Sequence, residues 1–234
     1  MDIRYWTFDT HMYEVIPGVL EKDWEAVEKK IEAVLPFAKT IHVDLIDGKF
    51  RHNHTFADPA PFAKYAKIAP GVDTGVKFEL HMMVDDPIKY LKPWAAAGFH
   101  RFIGHVEKMP DQAEFVAQAQ LLGEVALAID LDTPLDAIKV NLEDLDALLI
   151  MSVQTGHSGQ QFQETVMQKV KEVREKHLYL PIEVDGGIND ETIQIPAAAG
   201  ATRFVATSFL HNVGTPQEQY TLLLKLLEEL NPTA

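Results

Sequence analysis

The sequence predicts an α/β fold, a single (β/α)₈ TIM barrel, and three observations predict it. Short apolar runs rich in β-formers alternate strictly with helix-period stretches from end to end, the pattern of a parallel sheet with crossover helices. Eight such units in 234 residues come to about 29 residues each, the repeat of a closed barrel. The turn after the first strand, in IPGVLEKDW (16–24), holds one glycine and no G-x-G-x-x-G, which disfavours the competing open doubly wound sheet.

Strands are expected at residues 13–16, 40–47, 77–84, 101–107, 125–132, 148–154, 181–187 and 203–209. Helices are expected between them at 22–35, 59–68, 87–97, 111–122, 134–140, 163–176, 190–199 and 216–230. Asp86-Pro87, Thr133-Pro134 and Thr215-Pro216 each place a capping residue before a proline at the first helical position. Gly98 and Gly200 stand where helices should stop. AAAGFHRFI (95–103) echoes AAAGATRFV (197–205) four units later, as two half-barrels would, although a common helix ending would give the same match. Leu222, Leu223, Leu224, Leu226 and Leu227 read as the packing face of the last helix, and Trp6, Trp24 and Trp94 show no stacking array. With no linker or low-complexity segment, residues 1–234 read as one domain, residues 1–10 being a short N-terminal extension placed to cap the barrel bottom.

Composition narrows the function classes. The chain is 47% hydrophobic and 24% charged, as soluble globular proteins are. It has no cysteine, so disulfides, thiolate zinc sites and cysteine nucleophiles are excluded. The balance of 21 Lys+Arg against 35 Asp+Glu, a formal −14, argues against a nucleic-acid partner. No apolar run approaches the ~18 residues of a bilayer span, and the first residues have no secretory apolar core, so a cytoplasmic protein without a membrane partner is expected.

In a barrel the chemistry gathers at the C-terminal ends of the strands. Period-2 alternation in IHVDLIDG (41–48) puts His42 and Asp44 on one face and Ile41, Val43 and Leu45 on the other. With the aliphatics against the helices, His42 and Asp44 point into the barrel. The third strand brings His81 and the seventh Asp185. A lone inward His or Asp is more often a satisfied structural group, but four of them at strand ends need a shared reason, because a buried unpaired charge costs several kcal/mol. Two His and two Asp suit one divalent ion: Zn, Fe(II), Mn or Co. Gly156, Ser158 and Gly159 after the sixth strand, Gly186 and Gly187 after the seventh, and Thr207 and Ser208 at the eighth offer backbone N–H groups to a phosphate, or simply make tight turns. With a net charge of −14, local dipoles would have to supply the attraction. His105 and Glu107 can support the ligands from behind, His52 and His54 belong at the rim, and Glu143, Asp144 and Asp146 read as a solvated face.

These residues together resemble the ribulose-phosphate 3-epimerase family across residues 15–211, through IHVDLIDGKF (41–50), ELHMMVDDPIKYL (79–91), MSVQTGHSGQQF (151–162), IEVDGGIN (182–189) and GATRFVATSF (200–209). The resemblance implies a metal held by His42, Asp44, His81 and Asp185, with Asp44 and Asp185 as acid and base on opposite faces of the substrate. It implies site-lining methionines at Met83 and Met151, Ile46 replacing a third. The implied activity is a 3-epimerase of a ketose phosphate, first D-ribulose 5-phosphate to D-xylulose 5-phosphate in the pentose phosphate pathway, and the implied assembly is a homo-oligomer. A hexulose 6-phosphate 3-epimerase and a non-catalytic sugar-phosphate-binding barrel are the alternatives. Several positions depart from the family pattern: Ile16-Pro17-Gly18 for A-P-S, Asp130-Leu131 for N-P, the loop 154–159 with one glycine fewer, and Thr207-Ser208 for G-S. Related decarboxylases and aldolases carry D-x-K-x-x-D, whereas Asp44-Leu45-Ile46-Asp47 has no lysine.

Overall fold

In the computed structural model, residues 13–66 and 75–230 are described. The expected 1–10 extension, Trp6 and the end of the helix expected at 59–68 lie outside them. Eight parallel strands close into a barrel in sequence order: β1 (Glu14–Val19), β2 (Thr40–Ile46), β3 (Lys77–Met83), β4 (Arg101–His105), β5 (Glu124–Ile129), β6 (Ala147–Met151), β7 (Ile182–Asp185) and β8 (Arg203–Ala206). Around them lie α1 (Trp24–Val34), α2 (Ala63–Ala66), α3 (Ile88–Ala96), α4 (Gln112–Gln120), α5 (Met167–Lys176), α6 (Gln194–Ala199), α7 (Ser208–Asn212) and α8 (Pro216–Glu228).

Strand alternation divides the core in two. Outward-facing Ile41, Val43, Leu45, Leu80 and Phe102 join Val27 and Ile31 of α1, Trp94 of α3 and Phe115 of α4 in one apolar cluster between sheet and helices. Inside the barrel, Ile103, Ala126, Ala128, Ala147, Leu149 and Met151 fill the side formed by β4 to β6. The inward residues of β2, β3, β7 and β8 include His42, Asp44, Glu79, His81, Glu183 and Arg203, all buried. The barrel therefore has a dry half and a charged half.

The termini of the elements show which local signals won. Thr215 caps α8 through a capping box with Glu218, and Gly200 ends α6 at φ 110, a conformation open to glycine at little cost. Asp86 makes no cap and pairs with Lys89 instead.

Four expectations need correction. First, β1 continues through Pro17 to Val19, because residues 14–17 pair with β8 and residues 18–19 with β2, so the missing N–H of Pro17 falls at the changeover. Second, β8 stops at Ala206 and residues 208–212 form α7, burying Leu210. Third, no α-helix forms at 134–140. Pro134 stays extended (ψ 157) and the connection is two 3₁₀ turns, Leu135–Ala137 and Leu142–Asp144, with the Asn141 side chain accepting from Glu143 N. Fourth, α8 buries Tyr220, Leu223 and Leu227 while Leu222 is exposed, since neighbours along a helix point about 100° apart. As expected, Trp24 and Trp94 form no stacking array: they pack edge-on and tilted against Phe62, with ring centroids 5.0 and 5.3 Å away.

Candidate active site

The register aligns Asp44 of β2 with His81 of β3 and, two residues lower, His42 with Glu79. Asp185 ends β7, and its carbonyl accepts from both the N–H (2.8 Å) and the Oγ (3.0 Å) of buried Ser152. The ligand atoms of His42, Asp44, His81 and Asp185 all lie within 4.8 Å of one another. His42 Nε2 is 3.4 Å from Asp44 Oδ1 and 4.0 Å from Asp185 Oδ2. His81 Nδ1 is 2.9 Å from Asp44 Oδ1 and 3.6 Å from Asp185 Oδ2.

These four residues can hold a metal ion. His42 Nε2 is buried without a hydrogen-bond partner, although a stranded polar atom of this kind costs about 1–3 kcal/mol. It faces two carboxylates across a gap of the size a cation fills, and a set of two imidazoles and two carboxylates suits a borderline divalent ion.

Each imidazole is held from behind by its other nitrogen. His42 Nδ1 lies 2.8 Å from Glu79 Oε1, and His81 Nε2 lies 2.8 Å from His105 Nε2. His105 Nδ1 in turn meets Glu107 Oε2 at 3.0 Å, and Glu107 Oε1 accepts from Asp130 N at 2.6 Å. The sequence reading found His105 and Glu107. It missed Glu79, Glu183, Arg101 and Arg203, which the period-2 rule applied two residues before His81 and Asp185, and along β4 and β8, would have brought inward.

Above the four ligands opens a narrow cleft of about 30 Å³ that is open to solvent. Asp44 and Asp185 lie on its floor, and Met83, Met151, Gly156, Ser158, Gly159, Gly186, Gly187, Thr207 and Ser208 all line it, joined by His157 and Gln160, which the sequence reading passed over. Gly187 has φ 66, and a Cβ there would sit 2.7 Å from Phe162 N, so only glycine fits this turn. Among the described residues, the N–H groups of Gly159 and Gly187 donate to no other group. At the rim, Arg51 pairs with Asp130 and donates from Nε to Thr155 Oγ1 at 2.5 Å, while Asn53 Nδ2 donates to Gly156 O at 2.8 Å. These bonds fasten the loop after β2 to the loop after β6. A larger cavity of about 350 Å³ lies at the opposite end, lined by Arg101, Arg203 and Glu124. Its position at the N-terminal end of the strands makes it the wrong end for barrel chemistry.

The electrostatics separate the two aspartates. Burial alone would raise Asp44, but the adjacent His42 imidazole and the His81 hydrogen bond overturn it and hold Asp44 well below the ordinary carboxylate range. Burial, and then the adjacent Asp44 charge, push Asp185 up to about 7. Burial also opposes a charge on His42, yet the surrounding carboxylates of Asp44, Glu183 and Glu79 raise it well above the usual histidine value. For His105 burial dominates and lowers it to about 4.

Fold and site together define a (β/α)₈-barrel enzyme. The profile of the ribulose-phosphate 3 epimerase family matches residues 14–211, so the chain belongs to that family and is an isomerase of the epimerase kind. The ribulose-phosphate 3-epimerase of Schizosaccharomyces pombe is 31% identical over 207 residues, 88% of this chain and 90% of that one. That of Eremothecium gossypii is 34% identical over 200 residues, 82% and 83% of the two chains. Among solved structures, 3-keto-L-gulonate-6-phosphate decarboxylase from Vibrio cholerae superposes with a TM-score of 0.68 at 11% identity, covering 93% of this chain and 98% of that one, a likeness of fold alone.

Proposed function

We propose that this protein is a metal-dependent 3-epimerase of a ketose phosphate that interconverts D-ribulose 5-phosphate and D-xylulose 5-phosphate. The observation that carries the reading is the pair Asp44 and Asp185, side by side on the cleft floor with opposite protonation preferences. Epimerising a carbon next to a ketone requires taking a proton from one face and returning one to the other. With no ion bound, the two imidazoles keep Asp44 ionised while burial and the Asp44 charge push Asp185 toward protonation. The pair thus differs in the way an acceptor and a donor must, and a bound cation would shift both toward the ionised form. In the reverse direction the roles exchange, so the two carboxylates act as one coupled acid–base pair. His42, Asp44, His81 and Asp185 would hold a divalent ion (Zn, Fe(II), Mn or Co), which would supply Lewis-acid stabilisation of negative charge developing on the substrate oxygens.

Met83 and Met151 give the cleft floor an apolar wall that keeps water from the reacting carbon. Gly159 and Gly187 direct N–H groups that can take the substrate phosphate, with Gly156, Ser158, Gly186, Thr207 and Ser208 completing the cradle. The family's homo-oligomeric assembly is taken to hold here as well. The test is turnover by metal-loaded protein with D-ribulose 5-phosphate and with a 3-hexulose 6-phosphate in parallel. Formation of D-xylulose 5-phosphate at the higher kcat/KM supports the reading. Preference for the hexulose phosphate transfers the assignment to that substrate, and binding of both without turnover leaves a sugar-phosphate-binding barrel.

A further inference from the structure

Behind His42 the barrel interior carries a charged layer that the proposed proton transfers do not use. Glu79 Oε1 lies 2.8 Å from His42 Nδ1, while its Oε2 accepts from Arg101 Nη1 at 2.9 Å and Arg203 Nη2 at 2.7 Å. Arg203 Nε donates to Glu183 Oε2 at 2.8 Å, and Glu183 Oε1 stands 3.4 Å from the same His42 nitrogen. Arg203 also pairs with Glu14, and Arg101 with Glu124. Both Glu79 and Glu183 are completely buried. The geometric cluster of His42, Glu79 and Glu183 resembles a second ligand set, but two guanidiniums already neutralise its carboxylates.

A charged layer of this kind is costly to bury, and replacing one with apolar side chains is often neutral or stabilising. Its position explains its presence. An imidazole can bind a cation through one nitrogen only if the other keeps its proton and the ring is held at a fixed angle. The carboxylate of Glu79 accepts a hydrogen bond from that N–H, and the two arginines fix the carboxylate from the far side. His42 is thereby presented with Nε2 toward Asp44 and Asp185.

We infer that Glu79, clamped by Arg101 and Arg203, is a positioning residue that fixes the tautomer and orientation of His42 for metal binding. This rests on the metal reading given above. Arg101 and Arg203 each follow an AAAG helix ending, so the two repeated segments deliver the two clamping guanidiniums to one carboxylate.

The test measures Zn²⁺ affinity of the whole protein by competition with a chromophoric chelator, in wild type, Glu79→Gln and Glu124→Gln. Glutamine at 79 keeps the shape but has one acceptor oxygen for two sets of donors; turned to the arginines, it sets an NH₂ against His42 Nδ1, and a lost outer hydrogen bond of this type weakens metal binding about 10- to 100-fold. Glu124→Gln removes a carboxylate from the same Arg101 without touching His42, so its affinity should stay at the wild-type value. Wild-type affinity in folded Glu79→Gln, or an equal loss in Glu124→Gln, overturns the inference while leaving the metal reading intact. A wild-type protein that takes up no Zn²⁺ overturns the metal reading itself. A further measurement needs no variant: long-range ¹H–¹⁵N spectra of the Zn²⁺-loaded wild type should show His42 protonated at Nδ1 and bare at Nε2, and the opposite assignment overturns the inference.

Discussion

Asp44 and Asp185 occupy the same cleft floor but differ in what surrounds them, and that difference sets their roles. Asp44 has two imidazoles as neighbours, whereas Asp185 has burial and a like charge. Asp185→Asn is therefore expected to lower kcat by about 10²- to 10⁴-fold, the usual worth of a positioned acid or base, with substrate still bound. Undiminished C3 proton exchange in that variant would remove Asp185 from the mechanism. A second residue-scale expectation concerns His211, which burial, followed by the charge of Lys30, lowers to about 4. Because its folded pKa is depressed below the unfolded value near 6.5, its contribution to stability is present above that pH and lost as pH falls toward 4. From pH 7 to pH 5 the loss comes to about 2 kcal/mol, at 1.36 kcal/mol per unit. Urea titrations of His211→Gln should show a correspondingly smaller drop than wild type, and parallel curves would count against this origin.

At the scale of elements, the loops after β2 and β6 act as one piece because Arg51 ties Asp130 and Thr155 together over the cleft mouth. The pair is partly exposed, so its net worth is on the order of 1 kcal/mol. Arg51→Met should raise KM by roughly 3- to 10-fold with kcat nearly unchanged, which matches that energy; a fall in kcat at constant KM would place Arg51 in the chemistry instead. The turn after β7 is stiffer. Gly187→Ala must adopt φ 66 and push against the Phe162 backbone, so a loss of about 1–3 kcal/mol is expected by thermal or urea unfolding, together with weaker phosphate-ligand binding. Wild-type stability would show that the Phe162 backbone yields. Legibility in the sequence also divides by element. The strands of the site were readable, since alternation alone orients His42 and Asp44, and inward-facing residues of β3 and β7 follow the same rule. The Arg51–Asp130 clamp was not, because an ion pair between two loops leaves no periodic trace. The helix expected at 134–140 failed because a cap-plus-proline signal is weak against local side-chain hydrogen bonds such as that of Asn141.

At the scale of the whole molecule, the barrel separates stability from chemistry. The apolar layer between strands and helices and the dry side along β4 to β6 hold the closed sheet, while most of the buried charged groups lie on β2, β3, β7 and β8, joined by Arg101 and His105 of β4. The eight strands and their order were readable from hydrophobic periodicity; the helix of the fifth unit was not. The charged layer of Glu79, Glu183, Arg101 and Arg203 was overlooked because attention to strand ends passes over what lies one turn of alternation deeper. This charged half explains why a metal should matter for folding too. Without an ion, His42 Nε2 is a stranded buried atom. Metal at 100 times its Kd should stabilise the fold by about 2.7 kcal/mol, raising Tm, and a chelator should reverse it. Equal melting curves with and without metal would contradict an ion at this site. The most direct measurement of the central claim is proton NMR of D-ribulose 5-phosphate in D₂O with metal-loaded protein and a metal-stripped control. Deuterium at C3 and the growth of D-xylulose 5-phosphate, both dependent on metal, are expected; folded, metal-replete protein that leaves C3 fully protonated would contradict epimerisation at this carbon.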